Sequence, residues 1–230
     1  MIIRNNISAI NTSRNQKIGN RSLNKALEKL SSGYRINRAG DDAAGLAISE
    51  LMRSQINGLK QAERNVTDGV GLAQTADGAL TEIHSMLDRL KTLAIQAANG
   101  TYSSSARQAV EEERLQLLEE FDRIASSTDF NEIDLFDSSL PANIDPPQVS
   151  DNITLQIGPS DKELLDVNRY YLGSKALLLD TTDFSSVEEA GKSVDVIDNA
   201  IEAVSDMRGS LGAAQNHLEH THNSLTVTDE

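Results

Sequence analysis

The chain has no cysteine and no tryptophan, only four Phe and four Tyr, and four prolines in 230 residues. Without cysteine there are no disulfides and no thiolate metal sites, and a chain that ends up outside the cell loses nothing by that. With aromatics at 3 %, packing must rest on Leu, Ile, Val and Ala, which suits helices in close approach better than a thick globular core. No apolar run approaches the length of a membrane span. The opening "MIIRNNISAINTSRN" has no continuous apolar stretch followed by a small-residue cleavage site, so no cleaved secretory signal is expected. Positive charge is scarce: the net charge of −14 argues against nucleic acid or an anionic membrane as the main partner. The charge is also uneven. Residues 1–64 carry 11 Lys/Arg against 5 Asp/Glu, leaving −20 on the remainder. That polarity either favours head-to-tail association between copies or marks solvated helix faces.

What the chain does have is apolar spacing of three and four. Ile48, Met52, Ile56, Leu59, Ala62, Val66, Val70, Ala73, Ala76, Leu80, Ile83, Leu87, Leu90, Ala94 and Ala97 form one series without proline. Asn99–Gly100 closes it as a helix stop. A helix over about 44–98 would be roughly 80 Å long at 1.5 Å per residue, which makes a rod. A second helix is expected at about 105–128, striped by Val110, Leu117/Leu118, Phe121 and Ile124/Ala125 and capped within the serines 103–105. A third is expected at about 185–226, where "SSVEE" offers two overlapping capping boxes. A stripe also runs through 2–30: Ile3, Ile7, Ile10, Ile18, Leu27 and Leu30. The predicted fold is mainly α, an elongated antiparallel bundle of long helices with coiled-coil-like seams.

All four prolines fall in the middle, at about 131–184. There "IDLFD", "NITLQIG" and "LLDVNRYYLG" read as short strands of a small antiparallel β subdomain inserted before the last helix. The expected division is 1–43, an N-terminal helical arm with its loop, and 44–230, the rod domain with this insert.

No catalytic or phosphate-binding constellation is present, so no enzyme and no cofactor is expected. "HLEHTH" at 217–222 places His217 and His220 on one face at i, i+3, but it is not HExxH and brings no carboxylate cluster, so no metal is expected. His222 falls on a seam position and is expected to pack.

"LEKLSSGYRINRAGDDAAGLAISELMRSQINGL" (27–59), "ERNVTDGVGLAQTADGALTEIHSML" and "LAIQAANGT" together resemble the N-terminal region of bacterial flagellins. "SDMRGSLGAAQNHLEHTHNSL" (205–225) resembles the matching C-terminal rod helix. The resemblance covers about 1–135 and 185–230. The hook–filament junction protein of the same superfamily is the alternative, but it usually departs from "GYRINRAGDDAAGLAIS".

The resemblance implies a structural subunit of the extracellular flagellar filament, with other flagellin subunits and the flagellar type III export machinery as partners. It implies inner-tube packing through Ile3, Ile7, Ile10, Leu27 and Leu30. It also implies a spoke between filament layers in which Arg35, Arg38, Asp41 and Asp42 meet charges of the same or neighbouring subunits. A local Arg–Asp turn within one chain is the simpler reading of that loop. The middle is short, leaving no room for large outer domains, and Glu132 stands where the family usually has Gly. The family continues past "LTVTDE" into another long helix, the partner of 2–30, so a truncated chain, poor at polymerising, is expected.

The resemblance also implies recognition by vertebrate Toll-like receptor 5, through Arg89, Leu93 and Gln96 on the long helix and Glu113 on the next. The first three lie at i, i+4 and i+7, one helix face. Asp88 and Thr92 depart from the commoner Gln and Glu. The simpler reading is an Arg89–Glu113 surface pair with Leu93 covering the rod. A rod that serves recognition or adhesion without assembly is the further alternative.

Overall fold

The structure, a computed structural model, describes residues 6–137 and 149–229. Each long helix begins where a short polar side chain satisfies a free amide of its first turn. Asn6 Oδ1 accepts from the Ala9 amide at 3.2 Å to open α1 (Ile7–Ser32). Asp42 Oδ1 accepts from Gly45 at 2.9 Å to open α2 (Ala43–Ala97). Ser103 Oγ accepts from Ala106 at 3.2 Å for α3 (Ser104–Ser127). At "SSVEE" it is Ser186 that caps α4 (Val187–Asp229), accepting from the Glu189 amide at 3.2 Å. Ser185 turns back instead, and its amide and hydroxyl donate to the Asp183 carboxylate at 2.8 and 3.0 Å. α1 stops at Gly33, whose φ of 72° is left-handed and whose amide returns to the Lys29 carbonyl.

The chain divides into two compact units, Met1–Asn57 and Gly58–Glu230. In the first, α1 buries none of its residues. The apolar side chains that open α2, Ile48, Leu51 and Met52, are likewise exposed.

In the second unit the bundle is antiparallel. Asp77 of α2 meets Arg208 of α4 at 2.8 Å, and Lys91 of α2 meets Asp198 at 2.6 Å, so α4 descends as α2 rises. α3 returns beside α2 after the turn at 98–103. Leu80, Ile83, Leu87 and Leu90 of α2, Phe121 of α3, and Ile197, Val204 and Met207 of α4 are almost completely buried. They recur at the helical spacing of three and four, which sets them on one stripe of each helix. Each such large side chain contributes about 1.5–3 kcal/mol by leaving water. Ala73, Ala76, Ala94, Ala97, Ala200 and Ala203 fill the buried positions between them.

The segment between strands and α4 is strapped to α3 by polar side chains. Arg114, 6 % exposed, donates to Thr182 Oγ1 at 3.2 Å and pairs with Glu111. Its guanidinium lies 5.7 Å from the centre of the Phe184 ring. Glu111 in turn accepts from the Phe184 amide at 3.0 Å. Asp122 accepts from the amide and hydroxyl of Ser174 at 2.6 and 2.8 Å.

The β region begins with a hairpin of β1 (Asp129–Phe130) and β2 (Ile133–Asp134). A three-stranded sheet follows, made of β3 (Phe136–Asp137), β4 (Val149–Gln156) and β5 (Leu164–Tyr171) in the order β3-β5-β4. β4 and β5 are antiparallel, with Ile153 opposite Val167. β3 runs parallel to β5, Phe136 opposite Tyr170, so the sheet is mixed where the alternation pointed to antiparallel strands alone. β3 is reached from α3 through the β1–β2 hairpin and has no hairpin with β5 to make it antiparallel. The tight turn at "FNEID" forms although it lacks Gly: Asn131 and Glu132 both take positive φ, 53° and 65°.

Candidate interaction surfaces

Two surfaces answer to the residues singled out in the sequence. The first lies in the unit Met1–Asn57. Ile3 lies outside the described residues. Ile7, Ile10, Leu27 and Leu30 are 68, 61, 52 and 81 % exposed, and Ile18 and Leu23 of the same helix are exposed with them. Six large apolar side chains on one helix that buries nothing make a concentration that soluble surfaces rarely carry without a partner.

In the loop after α1 the Arg38 and Asp41 side chains form ion pairs with α1 and not with each other. Arg38 Nε lies 2.7 Å from Glu28 Oε1, which also accepts from Asn37 Nδ2 at 3.3 Å. Asp41 accepts from Lys25 Nζ at 3.3 Å. Asp42 is spent on capping α2, and Arg35 is exposed. A local Arg–Asp turn is present in the backbone, the Asp41 amide donating to the Arg38 carbonyl at 2.8 Å, while the two side chains reach back to α1. Lys25 and Glu28 receive them because they sit at i, i+3 on one helix face with opposite charge. That spacing was visible in the sequence; which loop residues it would meet was not. The Lys25 hydrogen bond holds the Asp41 carboxyl below the usual aspartate range, and the Glu28 carboxylate raises the Arg38 guanidinium further. Arg53 adds a cation–π contact, 5.3 Å from the centre of the Tyr34 ring.

The second surface lies on α2 and α3 in the unit Gly58–Glu230. Arg89 and Glu113 form an ion pair, with Nη2 and Nε 2.6 and 2.7 Å from the same Oε1. Both are substantially exposed, at 52 and 40 % of their side-chain surface. Gln96 is half-buried. Leu93 is 1 % exposed and belongs to the bundle core with Leu90 and Ala94. The reason is helical geometry: at about 100° per residue, i+7 returns to within about 20° of Arg89, whereas i+4 lands about 40° to one side. That rotation turns Leu93 under the surface that Arg89 and Gln96 share. Leu93 therefore does not share the exposed face of Arg89.

His217 and His220 are exposed and His222 is half-buried, near Thr67 and Val70 of α2. Among the described residues no three His, Asp or Glu side chains are grouped to hold a metal ion, and no helix is long and apolar enough to cross a membrane.

Comparison with known proteins agrees with this architecture. Residues 3–140 match the bacterial flagellin N-terminal helical region. A flagellin of Halalkalibacterium halodurans is 45 % identical over 232 residues, spanning 100 % of this chain and 82 % of that protein. A flagellin of Bacillus subtilis is 41 % identical over 256 residues, spanning 100 % and 84 %. The crystal structure of Bacillus cereus flagellin superposes with a TM-score of 0.60 at 28 % identity, covering 70 % of this chain and 88 % of that one. Long helices with an exposed apolar arm, a small sheet, and matches of this extent lead to one conclusion: the chain belongs to the bacterial flagellins, structural subunits of the extracellular flagellar filament, and is not an enzyme.

Proposed function

We propose that α1 is the part of this filament subunit that neighbouring subunits bury. The observation that carries this reading is the row of exposed apolar side chains from Ile7 to Leu30 on a helix with no buried residue. Burial of each would contribute about 1.5–3 kcal/mol, enough in sum to drive association. In this reading residues 1–43 form the assembling arm and 44–230 the rod, and the loop with Arg35, Arg38, Asp41 and Asp42 is the spoke between filament layers, where charges of the same or neighbouring subunits meet. Export proceeds through the flagellar type III machinery. The test is sedimentation with short filament seeds, comparing the chain with Ile10→Glu and Leu27→Glu. Both positions are exposed, so the subunit keeps its helical content while seeded pelleting is lost. The chain is expected to polymerise poorly, so its weak seeded pelleting is compared quantitatively, and variants that pellet as much as the unsubstituted chain remove the proposal.

The exposed Arg89–Glu113 pair favours a second role, recognition of the rod by Toll-like receptor 5. Arg is a frequent anchor of interfaces, and removing such an anchor costs about 2 kcal/mol of binding or more. Gln96 completes the face, with Leu93 acting only from beneath. Titration of the receptor ectodomain against Arg89→Ala and Glu113→Ala is the check; unchanged affinity in both would exclude this face.

A further inference from the structure

Asn–Gly is the dipeptide in which a side-chain amide is most open to attack by the next backbone nitrogen, because glycine has no β-carbon in the way. The chain contains two, Asn57–Gly58 and Asn99–Gly100. The fold treats them oppositely. Asn57–Gly58 lies inside α2, where the Gly58 amide is committed to the i to i−4 ladder and helical dihedrals keep it away from the side-chain carbonyl carbon. Asn99–Gly100 lies beyond the last residue of α2, in the turn before α3, and is exposed.

The turn is held around Asn99 and leaves the reacting nitrogen out. The Asn99 amide donates to the Gln96 carbonyl at 3.3 Å, and the Asn99 carbonyl accepts from Tyr102 at 3.2 Å. Asn99 Oδ1 accepts from the Thr101 amide at 3.1 Å. The Gly100 amide is not among the donors of this turn. A hydrogen bond to Oδ1 draws electron density from Cγ and stabilises the oxyanion that forms when Cγ is attacked. The electrophile is thus polarised and the adjacent nucleophile is uncommitted.

We propose that Asn99 is a site of spontaneous deamidation in the folded subunit and that Asn57 is protected by its helix. The Gly100 nitrogen, losing its proton to solvent base, bonds to Cγ of Asn99. The Cγ–Nδ2 bond breaks and Nδ2 leaves, protonated by water, as ammonia, giving a succinimide. Water then adds to either ring carbonyl and opens it to aspartate or isoaspartate. Either product places a carboxylate at the C-terminal end of α2, where the helix dipole is already negative. Isoaspartate also lengthens the backbone of the α2–α3 turn by one carbon. The subunit acquires a chemical record of its age at a defined turn.

The experiment incubates the purified chain at mildly alkaline pH and follows peptides by mass spectrometry, with isoaspartate detected by isoaspartyl methyltransferase. Parallel samples are unfolded in urea, and a Gly100→Ala variant is run beside them. A β-carbon at Gly100 meets nothing within 4 Å, and its φ lies outside the left-handed range, so this variant keeps the fold. In the native chain, the Asn99 peptide gains the mass change of amide to acid several-fold faster than the Asn57 peptide. In urea the two rates converge, and Gly100→Ala slows the native reaction at Asn99 several-fold. The proposal is overturned if Asn57 keeps pace in the native chain, if Asn99 persists natively over times that convert it in urea, or if Gly100→Ala reacts as fast as the parent.

Discussion

Leu155 of β4 sits directly over Gly69 of α2: a β-carbon at Gly69 would meet Leu155 Cδ1 at 2.5 Å and Leu218 Cδ1 of α4 at 3.3 Å. Sheet and bundle touch there because a residue is missing its side chain. Gly69→Ala should therefore destabilise the chain, even though alanine is the better helix former. Overpacking of about 1–3 kcal/mol outweighs a helix-propensity gain of about 0.5–1 kcal/mol. The net loss of about 1 kcal/mol corresponds to a melting temperature about 2–4 °C lower. A raised melting temperature would show that Leu155 moves aside freely.

Among the described residues Arg114 is the most deeply buried charge, held by Glu111, Thr182 and the Phe184 ring. Arg114→Ala removes the partner of a carboxylate that also anchors the Phe184 amide. The expected loss is about 3 kcal/mol, read from urea unfolding. Arg114→Met, which keeps the volume, should cost less; equal costs would mean that the loss comes wholly from the charge and its hydrogen bonds and that the volume is immaterial.

Leu93 lies in the core and Arg89 at the surface, so their variants test the proposed recognition face against stability. Leu93→Ala should cost about 2–5 kcal/mol by leaving a cavity in the core. Arg89→Ala should cost no more than about 1 kcal/mol, because its ion pair with Glu113 is exposed. Receptor affinity, measured where both variants are folded, should fall for Arg89→Ala and hold for Leu93→Ala. The reverse pattern would return Leu93 to the recognition surface.

Glu132 occupies a left-handed position that normally calls for glycine. Its amide bonds to the Asp129 carboxylate at 3.3 Å, which offsets part of the strain. Glu132→Gly should stabilise the hairpin by about 1 kcal/mol, since a non-glycine residue in this region costs about 1–2 kcal/mol. Thermal unfolding provides the check, and a lowered melting temperature would contradict it.

The loop after α1 should respond to acid with a definite sign. Asp41 has its carboxyl held below the usual range by Lys25, so its contribution is fully present above the unfolded-state value. It is lost as pH falls from the ordinary aspartate range through the depressed folded value. Hydrogen exchange at 34–42 should rise over that window, and Asp41→Asn should show the faster exchange already at neutral pH. Exchange that is flat across the window would show that the bond does not hold the loop.

The course of the helices was legible because its causes are local. Apolar residues three and four apart, Ser103 and Ser186 as caps, and the stop at Asn99–Gly100 act within a turn or two of the backbone. Asp42 was legible on the same grounds, standing directly before an Ala-rich helix, yet its neighbours Arg35, Arg38 and Asp41 made it read as one of a charged group. The hairpin at Asn131–Glu132 was less certain from sequence because glycine was missing, and the fold tolerates the strain.

The amino-acid sequence by itself determined which segments are helical, where the chain turns to strand, and the family to which it belongs, since periodicity, capping and motif are written within short spans. Tertiary structure alone decided which partner each face meets. It turned Leu93 into the core and left Arg89 outside, because the rotation of α2 about its axis is set by α3 and α4, far along the chain. It joined Arg38 to Glu28 and Asp41 to Lys25, and laid β3 parallel to β5. Such pairings depend on closing loops between distant segments, and no local pattern of residues specifies which closure wins.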